Sequence, residues 1–333
     1  MIFVMVTLGG ATRLTGSGLS IMEWAPFRGA LPPLSHAEWE RLFALYKGIP
    51  QYGLVNDGFG IEGFKHIFWL EYLHRLWGRT IGIAFALPLL WYWLTGQIER
   101  RWRWPMVGLL LLGGAQGGVG WLMVASGFER DATAVSPYRL VVHLVVALAL
   151  YVAVVRTALL IQAFGEQARP VMRENTWARQ WVQILCLSVA ATIVAGGFVA
   201  GIHAGLDYNT FPLMDGHLVP EGYAARLPDW RNWTENVAAV QFDHRLLATL
   251  TALLCAVACW VGLRDRAMPK RPMIVLAGLV AAQYGLGVAT LLWHVPVVLG
   301  TLHQANAVAV LTAALVVLHG SGRFGVAARR FVP

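Results

Sequence analysis

The chain has 333 residues, of which 57% are hydrophobic and 13% charged, with a mean hydropathy of +0.56 and a net charge of +8. That composition excludes an ordinary soluble domain and a disordered chain, both of which carry more charge and less apolar surface. The positive charge does not point to a nucleic-acid partner, because the basic residues lie in short segments between long apolar runs, as on the cytoplasmic rim of a membrane protein.

An incomplete apolar run opens the chain at 2–11. Others follow at 67–95, 105–126, 138–164, 181–203, 238–262, 273–294 and 299–319. Each of these later runs is long enough to cross about 30 Å of hydrocarbon at about 1.5 Å per residue. The pattern predicts an all-α integral membrane protein with eight transmembrane helices. The segments 96–104, 165–180, 263–272 and 320–333 hold 13 Lys or Arg, among them Arg100, Arg173, Arg264 and Arg330, against eight in the longer opposite loops. By the positive-inside rule both termini face the cytoplasm, and loops 13–66 and 204–237 face outward. Cys186, Cys255 and Cys259 all fall in apolar runs and read as packing residues rather than a disulfide framework. No cleavable signal peptide is visible after Met1.

The chain repeats itself. Glu71-Tyr72-Leu73-His74-Arg75, Ala115-Gln116 with Gly120, and His143 are matched by Gln241-Phe242-Asp243-His244-Arg245, Ala282-Gln283 with Gly287, and His303. Gly9-Gly10 and Gly16-Ser17-Gly18-Leu19 are matched by Gly196-Gly197 and His203-Ala204-Gly205-Leu206. Four helices per copy, an even number, predict a parallel tandem repeat of two pseudo-symmetric four-helix bundles. The halves are 1–164 and 181–320, joined by a cytoplasmic linker at 165–180. Aligning Gly9 with Gly196 leaves the first helix short, which predicts a true start some seven residues upstream of Met1.

His74, His143, His244 and His303 each sit one to two turns inside the outward end of a run, at similar depth. Imidazole serves heme iron and other metals alike, but no cysteine or carboxylate cluster accompanies these four to make a zinc or di-iron site. The glycine-rich stretches 113–120 and 285–287 would let a flat macrocycle approach the backbone, so bis-histidine heme is the reading preferred. Arg75 and Arg245 are candidate partners of heme propionates, or else snorkel to the interface. Three residues before the histidine, the first copy has Glu71 and the second Gln241. Only the carboxyl can move a proton near neutral pH or stabilise a developing cation, which marks the first copy as reactive; the alternative is an ion pair with Arg75. His36, His66, His217, His294 and His319 have no such pairing and read as solvated or interfacial.

Gly9 through Ser20, Glu71 through Arg75, Ala204 through Met214 and Val240 through Arg245 together resemble the signatures of the heme A synthase family, and the resemblance spans almost the whole chain. It implies an oxidoreductase that converts the ring-position-8 methyl of heme O to a formyl group by two hydroxylations and loss of water, for cytochrome oxidase biogenesis. It implies His74 and His143 as axial ligands of the substrate heme O, His244 and His303 as ligands of a heme b iron cofactor, and Glu71 as the functional glutamate. Loop 13–66 lacks the cysteine pair of some bacterial members, so the chain resembles the group without it. The family further implies the bacterial cytoplasmic membrane, heme sites near the periplasmic face and delivery of heme O by heme O synthase. The electron acceptor and a homo-oligomer are left open. Two other classes compete: a di-heme electron-transfer protein akin to a quinol-linked cytochrome b, and a transporter with parallel repeats, whose site would lie nearer the midplane.

Overall fold

A computed structural model describes residues 1–25, 28–165, 177–266 and 268–321. Among these residues the regular structure is helical, with one isolated antiparallel bridge between Met214 and His217. The first helix, α1 (Ile2–Leu14), ends where Gly16 turns to φ 65°, the left-handed region in which the absence of a Cβ removes the steric penalty. A short 3-10 turn, Ser17–Leu19, follows.

The loop between α1 and the next apolar run contains helices that its low hydropathy conceals. These are α2 (His36–Lys47) and α3 (Pro50–Val55). Ser35 caps α2 by accepting the Glu38 N–H at 3.2 Å, and Pro50 opens α3 at a position where no N–H is needed. Leu42 and Tyr46 of α2 bury against Phe64, Ile67, Phe68 and Tyr72 of α4 (Ile61–Leu94), with Trp39 edge-on to Phe68 at 4.8 Å. That aromatic core explains why α4 starts at Ile61 rather than at the apolar boundary near 67: Phe64 is wholly enclosed by it.

The remaining helices are α5 (Arg100–Ala125), α6 (Pro137–Gly165), α7 (Trp177–Gly201), α8 (Asn232–Glu235), α9 (Val237–Arg264), α10 (Lys270–Leu292) and α11 (Val297–Gly320). Six helices, α5, α6, α7, α9, α10 and α11, are long and apolar enough to cross a membrane. α4 has the length, with 34 residues or about 51 Å, but carries Glu62, Lys65, Glu71, Arg75 and Arg79. α1 has 13 residues and is shorter than a span. Leu111, Leu187, Leu253 and Ile274 stand exposed on four of these six helices, an arrangement that suits hydrocarbon and not water.

The chain divides into two compact units that interleave in sequence. One takes Met1–Leu150 with Ala200–Ile202 and Val295–Ala305; the other takes Tyr151–Val199, His203–His294 and Asn306–Pro333. In the first unit α1 packs on α4, where Gly78 faces Met5, and Arg13 donates to Ala200 O at 2.9 Å. In the second unit α7 meets α9 through a chain of hydroxyls, Ser188 to Thr251 at 2.6 Å and Thr192 to Thr251 at 2.8 Å, which satisfies polar groups that lipid could not. Tyr151 and Thr312 share a further hydrogen bond at 2.7 Å. Cys255 and Cys259 are free and buried side by side on α9, their sulfurs 4.0 Å apart, as packing residues. Residues 166–176 of the expected linker, and Arg323, Arg329 and Arg330, lie outside the described residues.

Candidate functional site

His74 stands on α4 and His143 on α6. Each imidazole rests on a glycine of a neighbouring helix. A Cβ built on Gly9 would stand 3.2 Å from His74 Nε2, and one on Gly120 would stand 2.9 Å from His143 Cε1. Both distances are inside ordinary contact, about 3.5 Å or more, so any side chain there would press on the ring. Gly114, Gly117 and Gly118 differ, since a Cβ on any of them would meet nothing within 4 Å. The spaciousness expected of this glycine stretch thus resolves into one seat, Gly120, and several open positions. Gln116, one turn before Gly120 on α5, donates from Nε2 to His143 O at 2.9 Å and lies 3.0 Å from His143 Nδ1. Its Oε1 is buried with no hydrogen-bond partner among the described atoms.

One turn before His74, Glu71 is 2% exposed and fully engaged. Its Oε2 accepts from Ser20 Oγ at 2.7 Å and from the Ile21 N–H at 2.9 Å, while Oε1 accepts from Arg75 Nε at 2.9 Å and Nη2 at 2.5 Å. Arg75 continues to Ile21 O at 2.5 Å and Glu23 O at 3.0 Å, and its guanidinium lies 5.7 Å from the Trp121 ring. Trp121 stacks in turn on Trp24 at 5.9 Å. Acid and arginine together pin the turn after α1 onto the histidine helix.

The second copy builds the same clamp with opposite chemistry. His203, in register with Gly16, also takes a left-handed φ of 58° before a 3-10 turn, Ala204–Leu206. Gln241 Nε2 donates to Ala204 O at 2.6 Å and Asp207 O at 2.5 Å, and its Oε1 accepts from Arg245 at 2.7 Å. Arg245 reaches Tyr208 O at 2.6 Å and Thr210 O at 2.9 Å, the carbonyls in register with those of Ile21 and Glu23. Arg245 Nε is buried with no hydrogen-bond partner among the described atoms. A Cβ on Gly196, in register with Gly9, would stand 3.0 Å from His244 Cε1. His244 belongs to the second unit, while His303, in the first third of α11, belongs to the first.

Arg75 and Arg245, expected at propionates or the interface, grip loop carbonyls as well. Ser20 as a partner of Glu71, and Gln116 as a contact of His143, have no signal in the local sequence. The glycines Gly9, Gly120 and Gly196 were visible as motif members, but not as seats for rings. Above the second copy, Tyr223 donates to Asp243 at 2.8 Å; burial, with the Asp243 carboxylate beside it, pushes the phenol up to about 12. His36 and His217 are exposed beside Glu40 and Glu221, as solvated groups are.

Six long apolar helices, with imidazoles seated on glycines and polar clamps between helix and loop, fit a multi-pass membrane protein whose polar chemistry gathers where its helices meet the connecting loops. Comparison with known proteins makes this specific: the chain belongs to the COX15-CtaA family of cytochrome oxidase assembly proteins, which matches residues 1–315. A relative from Granulibacter bethesdensis named heme A synthase is 58% identical over 326 residues, 97% of this chain and 86% of the relative. Proteins of the same name from Rhodospirillum centenum and Allorhizobium ampelinum are 48% and 45% identical, covering 95% and 97% of this chain and 84% and 88% of their own lengths.

Proposed function

We propose that this chain is a heme A synthase, an oxidoreductase that converts the ring-position-8 methyl of heme O to a formyl group by successive hydroxylations. His74 and His143 hold the substrate heme O, and His244 and His303 hold a resident heme b. The chemistry of the donor set fits such ligands. Among the described residues no group of three His, Cys, Asp or Glu could hold a metal ion alone, whereas heme iron needs only two axial imidazoles. Glycine seats at Gly9, Gly120 and Gly196, with partnerless buried atoms at Gln116 Oε1 and Arg245 Nε, add to that fit. Bound there, heme b supplies electron transfer.

The observation that carries the assignment of halves is the difference between Glu71 and Gln241. Glu71 is fixed by four hydrogen bonds, three residues before His74 on the same helix. A fixed negative charge at that place stabilises positive charge developing at the substrate methyl, and the Ser20 hydroxyl is the proton-bearing neighbour through which Glu71 exchanges. Gln241 offers neither charge nor proton. Arg75 and Arg245 hold the loops over each site, and the partnerless Nε of Arg245 is the group left for a propionate.

The topology proposed is eight spans in the bacterial cytoplasmic membrane, as four-helix halves 1–164 and 181–320. Both termini are cytoplasmic and the heme sites lie near the periplasmic face, supported by the distribution of Lys and Arg. Heme O synthase is the proposed source of substrate. Pigment extraction tests the reading: cells supplied with heme O and expressing this chain yield heme A or its hydroxylated precursor. Return of unchanged hemes would make the chain a di-heme electron-transfer protein instead.

A further inference from the structure

Next to His303 on α11 stands Gln304, and its amide is lodged in the backbone of α1. Nε2 donates to Val6 O at 2.7 Å. A Cβ on Gly10 would come within 2.5 Å of Gln304 Oε1 and 2.7 Å of its Cδ, so this fit depends on glycine at position 10. One turn earlier on α11 the roles reverse: a Cβ on Gly300 would stand 2.9 Å from Leu14 Cδ1. Two glycines, one on each helix, leave room for a side chain of the other, and the Gln304 amide meets a backbone carbonyl where lipid offers no partner. Val6 O can accept this bond beside its own helical one, because a carbonyl has two lone pairs.

Gly9, the residue before Gly10, seats His74. Consecutive residues on a helix point about 100° apart, so α1 turns one glycine to α4 and the next to α11. The residue after His143 is Leu144, which has no amide, so this bond has no counterpart in the first copy. We propose that Gln304 is a positioning residue: its hydrogen bond to Val6 and its seat on Gly10 fix the outward end of α11 and hence the orientation of His303. Through the Gly9-Gly10 step, α1 links that position to the seat of His74. The inference rests on the reading of His303 as a heme ligand.

The test uses the purified full-length protein carrying its resident heme, read by electron paramagnetic resonance of the low-spin ferric heme and by the rate of heme transfer to apomyoglobin. Gln304→Leu keeps the volume and removes the hydrogen bond. It is expected to retain heme, shift the largest g value, and speed heme loss about 3- to 10-fold, the size of one hydrogen bond. Gly10→Ala is expected to do the same by displacing the amide. In a Gln304→Ala background, where the clash is gone, adding Gly10→Ala is expected to change the loss rate by less than about twofold. Unaltered spectra and loss rates in both Gln304→Leu and Gly10→Ala, with heme lost from a His303→Ala control, would overturn the positioning role and leave the ligand reading intact. A His303→Ala protein that kept its low-spin signal would instead remove the ligand reading, and this inference with it.

Discussion

The Glu71 carboxylate accepts the backbone N–H of Ile21 at 2.9 Å, a bond that reaches across 50 residues of sequence. It fastens the turn after α1 to the helix that carries His74, and Arg75 closes the clamp from the other side through Ile21 O. In the second copy the in-register loop shows carbonyls instead, and the in-register side chain is an amide that donates to them.

Because the two clamps have opposite polarity, exchanging their side chains harms both. Glu71→Gln keeps the shape but removes the charge and the capacity to take up and release a proton, and sets an NH2 group among donors. Turnover is expected to fall about 100-fold or more while heme binding persists, read as heme A formed per bound heme. Full turnover would remove Glu71 from the chemistry. Gln241→Glu would set carboxylate oxygens against Ala204 O and Asp207 O and is expected to cost about 1–3 kcal/mol, measured as a lower thermal midpoint in detergent.

The glycines divide into seats and open positions, so alanine substitutions should divide likewise. Gly120→Ala presses on His143 and is expected to cost about 1–3 kcal/mol by overpacking, with loss of heme at the first site. Gly117→Ala meets nothing within 4 Å and is expected to leave heme content and thermal midpoint unchanged. Equal effects of the two would contradict the seat assigned to Gly120.

Acid should loosen the outer helices before the membrane helices. Arg41 holds the Glu23 carboxylate at 2.8 Å and Glu38 at 2.8 Å, and these hydrogen bonds keep both carboxyls below their usual range. A depressed folded value means the stabilisation is fully present above the unfolded value, about 4.3, and is lost as pH falls from there through the lower folded value. Glu23 also lends its carbonyl to Arg75, so the loss reaches the loop over His74. Hydrogen exchange in α2 and around Glu23 is expected to rise between about pH 5 and about pH 3.5, and Arg41→Met should abolish that pH dependence.

Tyr223 ties the loop between α7 and α9 to Asp243, the residue before His244. Tyr223→Phe is expected to cost about 1 kcal/mol and to raise proteolytic cleavage between 207 and 236. An unchanged digestion pattern would show the bond to be without consequence for the loop.

The six apolar helices were legible because runs of that length and hydropathy have few alternatives in water or lipid. α2 was not, since the mean hydropathy of its loop is low; the helical spacing of Trp39, Leu42, Phe43 and Tyr46 and the Ser35-to-Glu38 cap are the signals that mark it. At the site, spacing alone placed Glu71 and Arg75 on one face of α4. Their partners Ser20, Ile21 and Glu23 come from a turn some 50 residues away, which no local pattern encodes. Gln304 escaped notice for the same reason: its partner Val6 lies 298 residues back along the chain.

The two histidine pairs are assigned different hemes, and heme composition of ligand variants tests that most directly. Purified His74→Ala and His244→Ala proteins, expressed with heme O available, are extracted and their hemes separated. The expected result is heme B retained and no heme A from His74→Ala, against heme B lost from His244→Ala. Heme B lost from His74→Ala and retained by His244→Ala would contradict the assignment.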